Sequence, residues 1–172
     1  KNIQQQAPKY NIKIVAQEAF EPKDVDMTAQ LTRIKAKRVD GIIAWTVGPA
    51  MGIIAKNVKQ LGIEAPLFEC HGSGDPIFWQ VAGQAGEGVM MPSTKIVVAD
   101  QLPDSDIQKK KIQAYVKAYK EKFNAEPGTM VAYGADAAYI VVDAIKRVGP
   151  DRAKIRDAME NTRGYVGMSG VY

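Results

Sequence analysis

The first half of this sequence predicts an α/β fold in which a parallel sheet is flanked by helices, and three observations carry that prediction. Short segments rich in β-branched residues alternate with segments of helical period. The connections between them are short. Glycine and proline stand where helices should start and stop. Residues 12–20 (IKIVAQEAF) and 39–46 (VDGIIAWT) read as strands. Between them Asp26 and Thr28 are placed to cap a helix whose Leu31 and Ile34 face a core and whose Arg33, Lys35 and Lys37 face water. Gly48-Pro49 then opens a helix through Met51, Ile54, Ala55 and Val58 that stops at Gly62. A third strand follows at 66–70 (PLFEC), then a glycine-rich loop (HGSGD). A short helix at 76–84 and a fourth strand at 87–91 (EGVMM) complete the series.

The second half changes character. Pro92, Pro103 and the polar run 100–106 mark a linker or loop. Ile112, Tyr115, Val116, Tyr119 and Phe123 then recur at helical spacing, which predicts an amphipathic helix over 107–123. Its lysines (109, 110, 111, 117, 120 and 122) read as a solvated face, because no aromatic side chain interleaves with them to stack on a base. Residues 131–148 are apolar almost all round, so this helix is expected to be buried and to end at Gly149. A shorter helix, 151–161, follows. The tail, 164–172, is glycine-rich and ends in what reads as the start of a strand.

Composition excludes several classes. The 172 residues are 46% apolar and 24% charged, the profile of a folded globular chain rather than a disordered or fibrous one. The 23 basic and 19 acidic residues nearly balance, which gives no case for nucleic acid or a membrane surface as partner. A single cysteine, Cys70, forbids an internal disulfide. The longest charge-free stretch, 41–55, is broken by three glycines and a proline and is too short to span a bilayer. The chain opens on Lys1 with no signal peptide, so a processed chain or a piece of a longer one is expected.

Catalytic patterns are nearly missing. Neither a phosphate loop nor a G-x-G-x-x-G turn occurs, and GQAGEG at 83–88 has its glycines in the wrong order. One histidine and one cysteine, adjacent in an extended segment, point to opposite sides and cannot share a metal ion. His71, Ser73 and Asp75 are too close in sequence to line up as base, nucleophile and orienter. No catalytic residue, metal ligand or cofactor is therefore assigned, and a binding protein is expected rather than an enzyme. What remains is loop geometry, because open parallel sheets bind ligands beyond the carboxyl ends of their strands. Two such ends stand out, Trp45-Thr46-Val47-Gly48 and His71-Gly72 with Ser73-Gly74 behind it. The first opens a helix whose early amides suit a carboxylate. The plainer alternatives are that Trp45 is a core residue and His71 a hydrogen-bonded turn residue.

The order of these segments resembles the Leu/Ile/Val-binding type of solute-binding protein, the type I periplasmic-binding-protein fold that serves ABC importers. The matching stretches are DMTAQLTRIK (26–35), VDGIIAW (39–45), GPAMGIIAKNVKQLG (48–62), PLFECHGSG (66–74), AGQAGEGV (82–89) and YGADAAY (133–139). The resemblance implies a chain about half as long as family members, covering their middle and C-terminal part and therefore incomplete lobes. It implies that residues 1–93 are most of the second lobe. It further implies that 94–172 is a helical segment normally packing on the other lobe, with crossings near 92–94 and 164–170 and a C-terminal hinge strand. A small solute would be bound between two lobes by Trp45, Thr46, Val47, Gly48, His71 and Gly72, and delivered to a membrane permease from the periplasm or the cell exterior.

Two positions depart from the family's amino-acid binders. His71 stands where they carry a carboxylate for the ligand ammonium. Val47, with Thr46 beside it, stands where they carry an aromatic residue. These departures point to a carboxylate-bearing solute, aromatic or aliphatic, as much as to an amino acid. The competing function is a sensory or regulatory module on the same fold. The two long helices of the second half also lack the sheet that covers them in the family, so self-association or a larger intact protein is expected.

Overall fold

The computed structural model describes residues 2–21 and 23–172. The chain divides into two compact units. The first runs to Cys70 and resumes over Ile77–Met91; the second holds His71–Pro76 and Pro92–Tyr172.

In the first unit, α1 (Asn2–Gln6), α2 (Thr28–Lys35), β1 (Ile42–Ala44), α3 (Pro49–Gln60), β2 (Leu67–Glu69) and α4 (Pro76–Ala82) follow in order, with Pro76 itself grouped in the second unit. Strands β1 and β2 pair in parallel, Ile42 opposite Leu67 and Ala44 opposite Glu69, and a further parallel bridge joins Phe68 to Met90. The parallel α/β arrangement is as the sequence predicts. The expected four strands reduce to this pair and one bridge, with 87–91 contributing only Met90.

Residues 12–20 are not a strand. They form no ladder, and Ile12, Ile14 and Val15 are exposed. Alternation marks an extended chain with one face to bury, but a strand also needs a neighbour presenting amides and carbonyls in register. Among the described residues no strand does so for this segment.

Helix α3 follows its sequence signals closely. Gly48 adopts φ +72° before Pro49, a conformation that favours glycine, and Gly62 at φ +58° ends the run. Its inner face, Met51, Ile54, Ala55 and Val58, packs with Leu31, Ile42, Leu67 and Phe78 in one core. The buried Asn57 belongs to that core because its Oδ1 accepts the Met27 amide at 2.9 Å, just before α2. The Asp26 carboxylate accepts the Thr28 amide at 2.8 Å, and that bond holds its carboxyl below the ordinary aspartate range.

The second unit is helical: α5 (Lys109–Phe123), α6 (Thr129–Val148) and α7 (Arg152–Glu160). The predicted linker contains 3-10 turns over Lys95–Gln101, kinked at Val98, whose Ile96 and Ala99 pack with Ile112, Ala132 and Met168. Gly149 ends α6 as expected, and Asp151 caps α7 by accepting the Lys154 amide at 2.9 Å. The tail closes as a tight antiparallel hairpin with a Val166–Val171 bridge rather than opening a strand.

Helix α6 is not buried all round. Tyr139 is 52% exposed and Val142 47%, with Met130, Tyr133 and Ile145 also open, while Thr129, Ala132, Asp136 and Ala144 are buried. An apolar composition states what a helix is able to bury; within its own unit α6 covers only one side. No helix among the described residues is long and apolar enough to cross a membrane.

Ahead of α5, the Lys95 ammonium lies 2.6 Å from the Asp106 carboxylate, which also accepts the Gln108 amide. Lys95 first, and the amide second, hold the Asp106 carboxyl below its ordinary value of 3.8. A carboxyl lowered on folding stabilises fully above the unfolded value, and that contribution fades as the pH falls through the lower folded one. A carbon-detected NMR titration should therefore place Asp106 below 3.8, and Lys95→Met should raise its midpoint. A midpoint unmoved by that substitution would show the ion pair to be absent in solution.

Candidate functional site

The candidate residues follow the carboxyl ends of β1 and β2 in the chain. Along β1 the side chains alternate, with Ile42 and Ala44 buried and Ile43 exposed, and the alternation continues past the strand. Trp45 is therefore presented outward at 69% exposure and Val47 at 62%, with Thr46 half-buried between them. This excludes the plainer reading in which Trp45 is a core residue. Gly48 follows and opens α3. Cys70, buried at the end of β2, donates its Sγ–H to the Thr46 carbonyl at 3.0 Å, so the two strand ends are held side by side.

His71 is the next residue after Cys70, and there the chain enters the second unit. Residues His71–Ser73 form one 3-10 turn, closed by the Gly74 amide donating to the His71 carbonyl at 3.2 Å. Gly72 and Ser73 are buried and the imidazole is exposed. The predicted residues thus divide, Trp45, Thr46, Val47 and Gly48 with the first unit and His71 and Gly72 with the second.

The structure adds one residue that sequence reasoning missed. Tyr133, on α6, meets the His71 ring edge-on, with centroids 6.4 Å apart and planes at 71°. In the sequence Tyr133 is one more apolar position of a long helix, and nothing local links it to His71. The chemistry on offer is that of binding. An exposed indole gives a flat apolar wall, while an imidazole beside a phenol gives polar edges. Ser73 is fully buried and has no access to a substrate as nucleophile. Among the described residues no three His, Cys, Asp or Glu side chains gather in a metal-ligating group.

Comparison with known proteins supplies the context. A family profile described as periplasmic binding protein matches residues 1–172. The leucine-, isoleucine-, valine-, threonine- and alanine-binding protein of Pseudomonas aeruginosa is 26% identical over 149 residues, 86% of this chain and 38% of that protein. The branched-chain amino acid transporter substrate-binding protein of Streptococcus pneumoniae, solved in complex with isoleucine, superposes with a TM-score of 0.78 at 26% identity, over 97% of this chain and 47% of its own. An extracellular ligand-binding receptor from Rhodopseudomonas palustris superposes with a TM-score of 0.87 over 97% of this chain and 49% of that one, and at 22% identity it speaks for the fold alone. The chain spans about half the length of these solved structures and less of the curated relative.

Proposed function

Because this chain belongs to the periplasmic binding protein family, we propose that it acts as the solute-binding component of an ABC importer, working in the periplasm or outside the cell and handing its solute to a membrane permease. It binds rather than transforms. In this reading residues 1–93 supply most of one lobe and 94–172 the helical segment with its C-terminal hairpin. The solute contacts are Trp45, Thr46, Val47 and Gly48 together with His71 and Gly72, joined by Tyr133. The observation that supports this is the outward presentation of Trp45 and Val47 at a strand end locked to its neighbour by the Cys70–Thr46 bond.

The solute we propose carries a carboxylate, aromatic or aliphatic, and does not require an α-ammonium. A carboxylate at position 71 would hold an ammonium by a charge-assisted bond; an imidazole instead donates to a carboxylate, carbonyl or hydroxyl. Amides at the start of α3 suit an acid group, and the Trp45 ring suits a planar one. The relatives' names speak for branched-chain amino acids, which makes those the controls.

Calorimetric titration with leucine, isoleucine, valine, benzoate and short aliphatic acids tests the proposal. An acid is expected to bind, with affinity falling about tenfold or more in Trp45→Ala and His71→Ala, the scale of losing a central anchor. Tight binding of a branched-chain amino acid, undisturbed by His71→Ala, would refute the assignment of the solute.

A further inference from the structure

Residues His71–Pro76 leave the first unit for only six residues, and what they pack on is the start of α6. The Thr129 amide donates to the Gly74 carbonyl at 3.0 Å. Gly74 has no room for a side chain, since a Cβ there would lie 2.3 Å from Ser93 Oγ and 2.6 Å from Thr129 Oγ1. Gly128 has none either, as its Cβ would lie 2.8 Å from both Asp75 Oδ2 and Pro76 Cδ. The fully buried Thr129 hydroxyl meets Ser93 Oγ at 2.9 Å and accepts from Thr94 Oγ1 at 3.3 Å. One turn further along, Tyr133 meets the His71 ring.

We infer that Thr129 and Gly74 are positioning residues, which fix the His71 imidazole by clamping its loop to the first turn of α6. Gly74 allows backbone-to-backbone approach, and Thr129 supplies both the amide that holds the loop and the oxygen that braces residues 93 and 94 behind it. The consequence for solute binding rests on the function proposed above; the placement of the loop does not.

His71 is the only histidine in the chain, so its ring resonances in a proton–carbon NMR spectrum report the loop directly, without ligand. Gly74→Ala is expected to shift those resonances and to speed exchange of the Thr129 amide about tenfold, the scale of one lost hydrogen bond. Thr129→Val should shift them as well, and Thr129→Ser, which keeps the hydroxyl, should return them to the wild-type positions. If Gly74→Ala fails to fold, the Thr129 pair decides alone. Wild-type His71 resonances in Thr129→Val overturn the inference, and so do equal shifts in the Val and Ser variants. A His71→Ala variant that binds solute normally overturns the proposed function instead and leaves these loop readouts as they are.

Discussion

Replacing Phe78 with Ala is expected to cost the first unit about 3–5 kcal/mol, the range for emptying an aromatic site that cannot close up. Phe78 is completely buried and sits in the core with Met27, Leu31, Met51 and Leu67. Its ring meets Trp79 edge-on at 4.8 Å. How much of the cavity survives depends on whether the walls can move in, and here they are already in contact. A Cβ on Gly52 of α3 would lie 2.7 Å from Val81 Cβ and 2.8 Å from the Ala82 amide, so α3 and α4 touch through a glycine and have no slack. On the far side, a Cβ on Gly86 would lie 3.0 Å from the Trp79 ring and 3.2 Å from Phe78. Against total stabilities of about 5–15 kcal/mol, such a loss removes from about a fifth to all of the folding free energy. Urea denaturation followed by tryptophan fluorescence measures it, with Trp79 as a reporter beside the cavity. Phe78→Leu, which refills most of the space, should retain most of the stability. A loss below about 1 kcal/mol in Phe78→Ala would mean that the helices do close, against the backbone contact at Gly52.

Elements whose signals are local were legible in the sequence. Helix α3 has its start at Gly48-Pro49, its buried face at Met51, Ile54, Ala55 and Val58, and its stop at Gly62, all as the spacing predicts. The Gly149 stop of α6 is of the same kind. Features decided by what lies across from a segment were not legible. IKIVAQEAF has the alternation of a strand, yet strand formation is a property of a pair, and among the described residues no partner is in register with it. The apolar helix of 131–148 has the composition for complete burial, but composition does not say which sides are covered, and Tyr139 and Val142 lie open. The candidate site divides along the same line. Outward presentation of Trp45 follows from period-two alternation beyond β1. The His71–Tyr133 contact joins residues far apart in sequence through a loop of glycine and small polar residues, which has no pattern to reveal where it docks.

The C-terminal hairpin depends on one carboxylate, and Asp136→Ala is expected to release it at a cost of about 3 kcal/mol. Asp136 is fully buried on α6, facing the turn at Gly167–Gly170. It accepts the Met168 amide at 2.9 Å, the Ser169 amide at 2.7 Å and the Ser169 hydroxyl at 2.6 Å. Gly167 lies so close that a Cβ there would stand 2.5 Å from the carboxylate, so the turn is built directly on this group. Removing it strands the Met168 and Ser169 amides while Met168 remains plugged into the core, and each buried donor without a partner costs about 1–3 kcal/mol; the Ser169 hydroxyl keeps the Tyr172 hydroxyl at 2.7 Å. Asn at this position keeps one acceptor but turns an NH2 toward donors, so it should rescue little. The other ties are weaker alone. Gln108 Nε2 donates to the Gly167 carbonyl at 2.8 Å, and the Lys111 ammonium donates to the Val166 carbonyl at 2.6 Å while lying 4.1 Å from the Tyr165 ring centre. Lys111→Met should therefore loosen the hairpin less than Asp136→Ala, because the Val166 carbonyl lies nearer solvent than the Met168 amide. Hydrogen exchange resolved by residue reads the order directly: in Asp136→Ala, protection at Gly167 and Tyr172 should collapse while that of α6 persists. Protection at those two amides that matches the wild type would show the hairpin to be held by Gln108 and Lys111 instead.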